Sequence, residues 1–102
     1  MRYNVKIEPQ ALSDIQEITN WYNKQKAGLG KRFQTTAIKQ ISSLSENPHI
    51  YAERYKKIRC FLIKKFPYMT HFYINEESRT IEILAVISTS RSPKIWTDKT
   101  DK

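Results

Sequence analysis

A single cysteine, Cys60, stands in a chain of 102 residues that also carries only two glycines and four prolines. One thiol forms no intramolecular disulfide, which fits a reducing compartment. So few Gly and Pro argue against a loop-dominated scaffold. The longest apolar run has five residues, at 83–87, where a membrane-spanning helix needs about 20. The first residues alternate polar and apolar instead of forming a signal-peptide core. A cytoplasmic protein without membrane contact is the expectation.

Recognisable chemistry is equally sparse. His49, His71 and Cys60 have no zinc-ligand spacing, and no paired His lie on one helical face. There is neither a Gly-rich phosphate loop nor a Gly-x-Ser-x-Gly nucleophile turn. No metal and no cofactor is expected. Asp14 and Glu17, one turn apart on a helix, read as solvated surface in preference to a catalytic carboxylate pair. Cys60, in an apolar stretch, reads as a small core residue. His71 reads as packed or hydrogen-bonded and not as a general base.

What the chain does have is a core and a strong positive charge. It is 39% hydrophobic and 12% aromatic, and a single domain of this length buries about two-thirds of its unfolded surface. Eighteen Lys and Arg against ten Asp and Glu give a net charge of +8. Residues 54–65 hold six of the basic side chains and no acid: Arg54, Lys56, Lys57, Arg59, Lys64 and Lys65. Such a segment suits nucleic acid, an acidic protein or anionic lipid; the alternative is a solvated face that aids solubility.

Periodicity orders the elements. Tyr3, Val5 and Ile7 alternate with polar neighbours, as in a strand with one buried face. From Pro9 to about Lys26, Ala11, Ile15, Ile18 and Tyr22 form one helical stripe with Leu12 beside it. Ala27-Gly28-Leu29-Gly30 breaks that helix. A second helix fits about Lys31 to Glu46, with Phe33, Ala37, Ile41 and Leu44 in its stripe and Ile38 flanking; Asn47-Pro48 stops it. Three runs rich in β-branched and aromatic residues follow, beginning near Ile58, Phe72 and Ile81, with short connections. The expected fold class is α+β, in the order β-α-α-β-β-β. An antiparallel sheet is covered on one face by a helical hairpin, and its other face is partly open. The domain spans 1–96, and 97–102 is a polar tail. Arg59 and Arg91 suit bidentate phosphate or carboxylate contact and are expected to share a face or an edge. Tyr68, Tyr73 and Trp96 beside them suit base stacking, although sheet packing explains the tyrosines as well.

Taken with this element order, a series of residues resembles the RelE/ParE superfamily of type II toxins: Leu29-Gly30-x-x-Phe33, Asn47-Pro48, Arg59, Phe66-Pro67-Tyr68, Phe72-Tyr73, Ala85-Val86 and Arg91-x-Pro93-x-x-Trp96. The likeness covers about residues 3 to 96, and the plasmid-stabilisation, ParE-like branch fits best. The resemblance implies a small basic toxin whose helices and sheet are wrapped by the C-terminal segment of a cognate antitoxin, in a toxin–antitoxin hetero-oligomer. Ile15, Ile18, Tyr22, Phe33 and Ile41 are the residues assigned to that contact. It also implies one of two activities, gyrase poisoning by ParE-like members or mRNA cleavage in the ribosomal A site by RelE-like ones.

Matched residue by residue, Arg91 falls on the Arg that both branches carry after the last strand, and Arg59 on the strand Arg typical of ParE-like members. The RelE-like lysines are met by Cys60 and Leu62, their next-strand Arg by Met69, and their C-terminal Tyr by Trp96. The His that many relatives carry before the final Arg is Ser88. The leading expectation is therefore inhibition of DNA gyrase, with Arg59, Arg91, Lys56, Lys57 and Trp96 touching the target. A ribosome-dependent mRNA endonuclease using Arg59, Arg91 and Lys64 is the alternative, and a non-toxic basic binding module on the same scaffold the third reading.

Overall fold

The computed structural model describes residues 2–91 and Trp96; the tail expected at 97–102 lies outside the described residues. Strand β1 (Asn4–Ile7) leads into α1 (Pro9–Gln25), where Pro9 occupies the first turn and its missing N–H has no helical partner to lose. Helix α2 (Leu29–Ser43) follows after Gly28, whose φ of 87° turns the chain back. A 3₁₀ turn at Pro48–Ile50 then leads to β2 (Glu53–Tyr55), β3 (Ile58–Leu62), β4 (Tyr68–Asn75) and β5 (Thr80–Ser88).

The five strands form one sheet in the order β1-β5-β4-β3-β2. The meander β3-β4-β5 is antiparallel as expected, whereas β1 lies parallel to β5, with Val5 opposite Ile81 and Ile7 opposite Ile83. The sheet is therefore mixed. Its interior strand β5 has the uninterrupted apolar run typical of a strand covered on both faces. The expected order also lacked β2. Its three residues Glu53-Arg54-Tyr55 have no apolar alternation, and the turn to β3 is Lys56-Lys57, with φ of 44° and 66°. A two-residue turn with both φ positive ordinarily carries Asn-Gly, so two lysines hide it. Each left-handed lysine costs about 1–2 kcal/mol.

Both helical stripes point into the sheet. Ala11, Ile15 and Ile18 of α1 and Phe33, Ala37 and Ile41 of α2 are buried with Phe61, Ile63, Phe72, Ile74, Ile81, Ile83 and Val86. The flanking Leu12 and Ile38 are exposed. Full burial of side chains such as Phe33 or Ile41 contributes about 1.5–3 kcal/mol each. The other sheet face is less open than expected, since Ile58, Cys60, His71, Ala85 and Ile87 are buried there as well. A bulge in β5 sets this division: His71 pairs with Ala85 but Phe72 pairs with Ile83, leaving Leu84 as the extra residue. Without that slip, Val86 and Ile83 would point to opposite faces.

The helices meet at Gly30. A Cβ there would overlap the Thr19 carbonyl oxygen and the Asn23 side chain, whose Oδ1 accepts the Gly30 N–H at 2.9 Å. Gly30→Ala is expected to lower stability by about 1–3 kcal/mol through overpacking. The check is the urea midpoint, which an unstrained helical Gly-to-Ala change would instead raise.

Candidate functional site

The basic segment 54–65 does not form one patch, because β3 sends alternate side chains to opposite faces and its two turns to opposite ends. Arg54 sits over the Trp96 ring, 5.8 Å from its centroid. Lys56 and Lys57 form the β2–β3 turn. Arg59 Nη1 donates to the Tyr51 carbonyl at 2.7 Å, and Nη2 lies 3.5 Å from Glu53 Oε2. This leaves the Arg59 side chain 17% exposed. The guanidinium thus ties the segment before β2 to β3 and lines a cavity of about 440 Å³ with Lys57, Tyr73 and Glu76.

Arg91 lies elsewhere. It is exposed beyond β5 and lines a separate cavity of about 490 Å³ with Asp14, Glu17, Trp21, Tyr68 and Ser88. Arg59 and Arg91 are accordingly not brought together: Arg59 is opposite Phe72, the strand end leading to Arg91 is opposite Tyr68 farther along β4, and the two arginines line different cavities. Lys64 joins neither; it faces α2 across a third groove.

Asp14 is the residue that sequence reasoning misplaced. It is buried, not solvated: Oδ2 accepts the Val86 N–H at 2.9 Å and Oδ1 accepts from Gln10 Nε2 at 2.9 Å. Strand β1 pairs with β5 only over Thr80–Ile83, and the Asp14 carboxylate satisfies the N–H of Val86 beyond it. The signal was present, since position 14 is three after Ala11 and four before Ile18, on the buried stripe. Trp21, 53% exposed at the mouth of the Arg91 cavity, was also passed over.

On the face away from the helices, His71 is fully enclosed. Its Nδ1 lies 2.9 Å from Tyr55 Oη and 3.2 Å from Cys60 Sγ. The Tyr55 and Trp96 rings lie against its own, with centroids at 5.8 and 5.1 Å. Burial pushes the Cys60 thiol up to about 11, a nearby Arg54 opposing only in part. At the far edge, Glu76 accepts from Tyr3 Oη and meets His49 Nε2 at 2.7 Å. Those hydrogen bonds, His49's the larger, hold its carboxyl below the usual range. Among the described residues no His, Cys, Asp and Glu cluster into a metal site, and no helix is long and apolar enough to cross a membrane.

Most of the residues assigned to an antitoxin contact lie in the core of the chain itself. Ile15, Ile18, Phe33 and Ile41 are inside the core, and Tyr22 packs edge-on against Phe66 and Tyr68 and tilted on Phe33. They join the helices to the sheet, and of the five Tyr22 alone is only partly buried. Among the described residues, the large apolar side chains that face solvent are Leu12, Trp21, Ile38, Ile50 and Leu62.

The model of the ParE toxin of type II toxin–antitoxin systems, parDE, matches residues 5–93. The chain belongs to this family. The fold of this ParE-family toxin is shared with solved structures of low sequence identity. A chromosomal ParDE toxin–antitoxin system from P. aeruginosa superposes with a TM-score of 0.75 at 16% identity, covering 85% of this chain and 96% of that one. A mutant E. coli RelE toxin in the free state gives 0.74 at 14% identity, covering 99% and 97%. The RelBE2 toxin–antitoxin complex from Mycobacterium tuberculosis gives 0.63 at 18% identity, covering 86% and 99%. No curated protein matches the chain significantly.

The enclosed thiol supplies a direct check on this face of the sheet. A rise from 9.0 to about 11 cuts the thiolate fraction at pH 8 by about 100-fold, since the thiolate is the reactive form. Iodoacetamide at pH 8 should therefore label native Cys60 at least that much more slowly than the urea-unfolded chain, read by mass spectrometry. Equal rates would mean that Tyr55 and Trp96 do not close the face.

Proposed function

We propose that this type II toxin acts as a protein-binding poison of DNA gyrase, in the cytoplasm, and is held inactive by a cognate antitoxin. The observation that carries the reading is the state of the sheet face on which RelE-like nucleases place their basic residues. Here Cys60 and His71 are buried together under Tyr55 and Trp96. A general base must come within hydrogen-bond reach of the proton that it takes, and the enclosed His71 ring offers no such approach. The family match to the ParE toxin model supports the same choice. Target contact is assigned to Arg91 with the exposed Trp21 beside it, and to Lys56 and Lys57 on their turn. Arg59, committed to Tyr51 and Glu53, positions the β2–β3 hairpin. Trp96 supports the Tyr55–His71 stack.

Solved relatives of the same fold include complexes with antitoxins, which supports the partner. The buried helical stripes leave Leu12, Trp21 and Ile38 as the apolar side chains that an antitoxin segment would cover.

The mRNA endonuclease remains the competing reading on one observation, the close superposition on a RelE toxin over nearly the whole of both chains. The two separate in vitro. Purified toxin added to gyrase and supercoiled plasmid should accumulate cleaved DNA. Arg91→Ala should weaken the effect by about 10- to 150-fold, the equivalent of one charged contact of about 1.5–3 kcal/mol. Unaltered gyrase activity at saturating toxin would refute the proposal.

A further inference from the structure

The third groove, between α2 and the β3–β4 turn, has a volume of about 790 Å³ and a basic lining. We infer that it binds the phosphodiester backbone of nucleic acid, a site beyond the target surface proposed above and independent of it. Arg32, Thr35, Thr36, Lys39 and Ser43 line one wall, at helical spacings of 3, 1, 3 and 4 that make a single stripe along α2. Lys64 and Lys65 line the opposite wall. Among the described residues that line the groove there is no carboxylate.

The two walls are fastened to each other. Gln40 Oε1 accepts the Lys64 N–H at 2.8 Å, and its Nε2 donates to the Leu62 carbonyl at 3.3 Å. The turn is held in this form although Lys65 takes a φ of 69°, a conformation that side chains other than Gly avoid. The lysines are thus presented by a built turn and not by a frayed loop.

The lining chemistry favours phosphates over an acidic peptide. The guanidinium of Arg32, the ammonium groups of Lys39, Lys64 and Lys65 and the hydroxyls of Thr35 and Thr36 are of the kinds that donate to phosphate oxygens. An acidic segment that folds on binding also needs apolar anchors. The aromatic groups here, Tyr51 and Phe66, have their rings engaged with Phe61 and Phe72, and with Tyr22 and Phe33. From Arg32 to Ser43 the stripe runs about 16 Å at 1.5 Å per residue. That length equals the axial rise of about five base pairs of duplex, at 3.4 Å per phosphate of each strand.

The test is fluorescence anisotropy of a fluorescein-labelled 15-base-pair DNA duplex titrated with the full chain at 50–200 mM NaCl. Each lost phosphate contact lowers the log–log salt slope by about 0.9. Lys39→Gln/Lys64→Gln should therefore reduce the slope by about 1.8 and weaken binding about tenfold, whereas Lys24→Gln/Lys26→Gln, with the same charge loss, should leave the slope unchanged. Equal effects from both pairs, or no binding by the unmodified chain at 50 mM NaCl, overturn the site. Tighter binding of labelled polyglutamate to the same groove overturns the phosphate assignment in favour of an acidic peptide. If the first variant does not fold, amide shift mapping of the unmodified chain with the duplex decides. Shifts centred on Thr35, Thr36, Lys39 and Lys64 support the site, and shifts centred on Lys56 and Lys57 overturn it.

Discussion

The bulge at Leu84 is the constraint on which the rest of the molecule depends. One extra residue in β5 lets Ile81, Ile83 and Val86 all face the helices while Ala85 and Ile87 face the other way. The slip also coincides with the end of β1. Past Ile83 the β5 edge has lost its parallel neighbour, and the Asp14 carboxylate of α1 takes the N–H of Val86. A buried donor without a partner costs about 1–3 kcal/mol, so Asp14 fixes where α1 lies along β5. The same register puts His71 opposite Ala85, a side chain small enough for the Tyr55 and Trp96 rings to settle over the imidazole. One local irregularity thus determines the helix position and the setting of His71 on the second face.

Charge is distributed according to that frame and not according to the sequence. The basic run at 54–65 divides into a turn at one end of β3, a groove wall at the other, and an arginine spent on a backbone carbonyl. Among the described residues, three of the four non-glycine residues with positive φ are lysines in those two turns, namely Lys56, Lys57 and Lys65. Backbone strain of this kind persists where the surroundings hold it, and it gathers at working surfaces. Long-range attraction to an anionic partner follows from a net charge of +8 and weakens as salt rises.

Most of the fold was legible because the helical stripes and the β-branched runs carry strong periodic signals. Both helices, the meander and the helix-stopping Asn47-Pro48 were readable within a few residues. What escaped depended on partners distant in sequence. Asp14 reads as surface until Val86, 72 residues away, supplies its donor. Strand β2 is three residues long and announced by no turn residue. The parallel pairing of β1 follows from where the chain returns, not from any local pattern. The burial of Ile15, Phe33 and Ile41 against their own sheet escaped for a related reason: an apolar stripe looks the same whether its own sheet or another chain will cover it. Family likeness supplied the toxin class, which neither composition nor spacing contains.

The central claim is that this fold carries a poison and not a nuclease, and message integrity tests it most directly. Primer extension on mRNA from cells induced for the toxin should give the same full-length products as an uninduced control while growth stops. Discrete cuts within translated codons, appearing on induction, would contradict the account and assign the sheet face to ribosome-dependent cleavage.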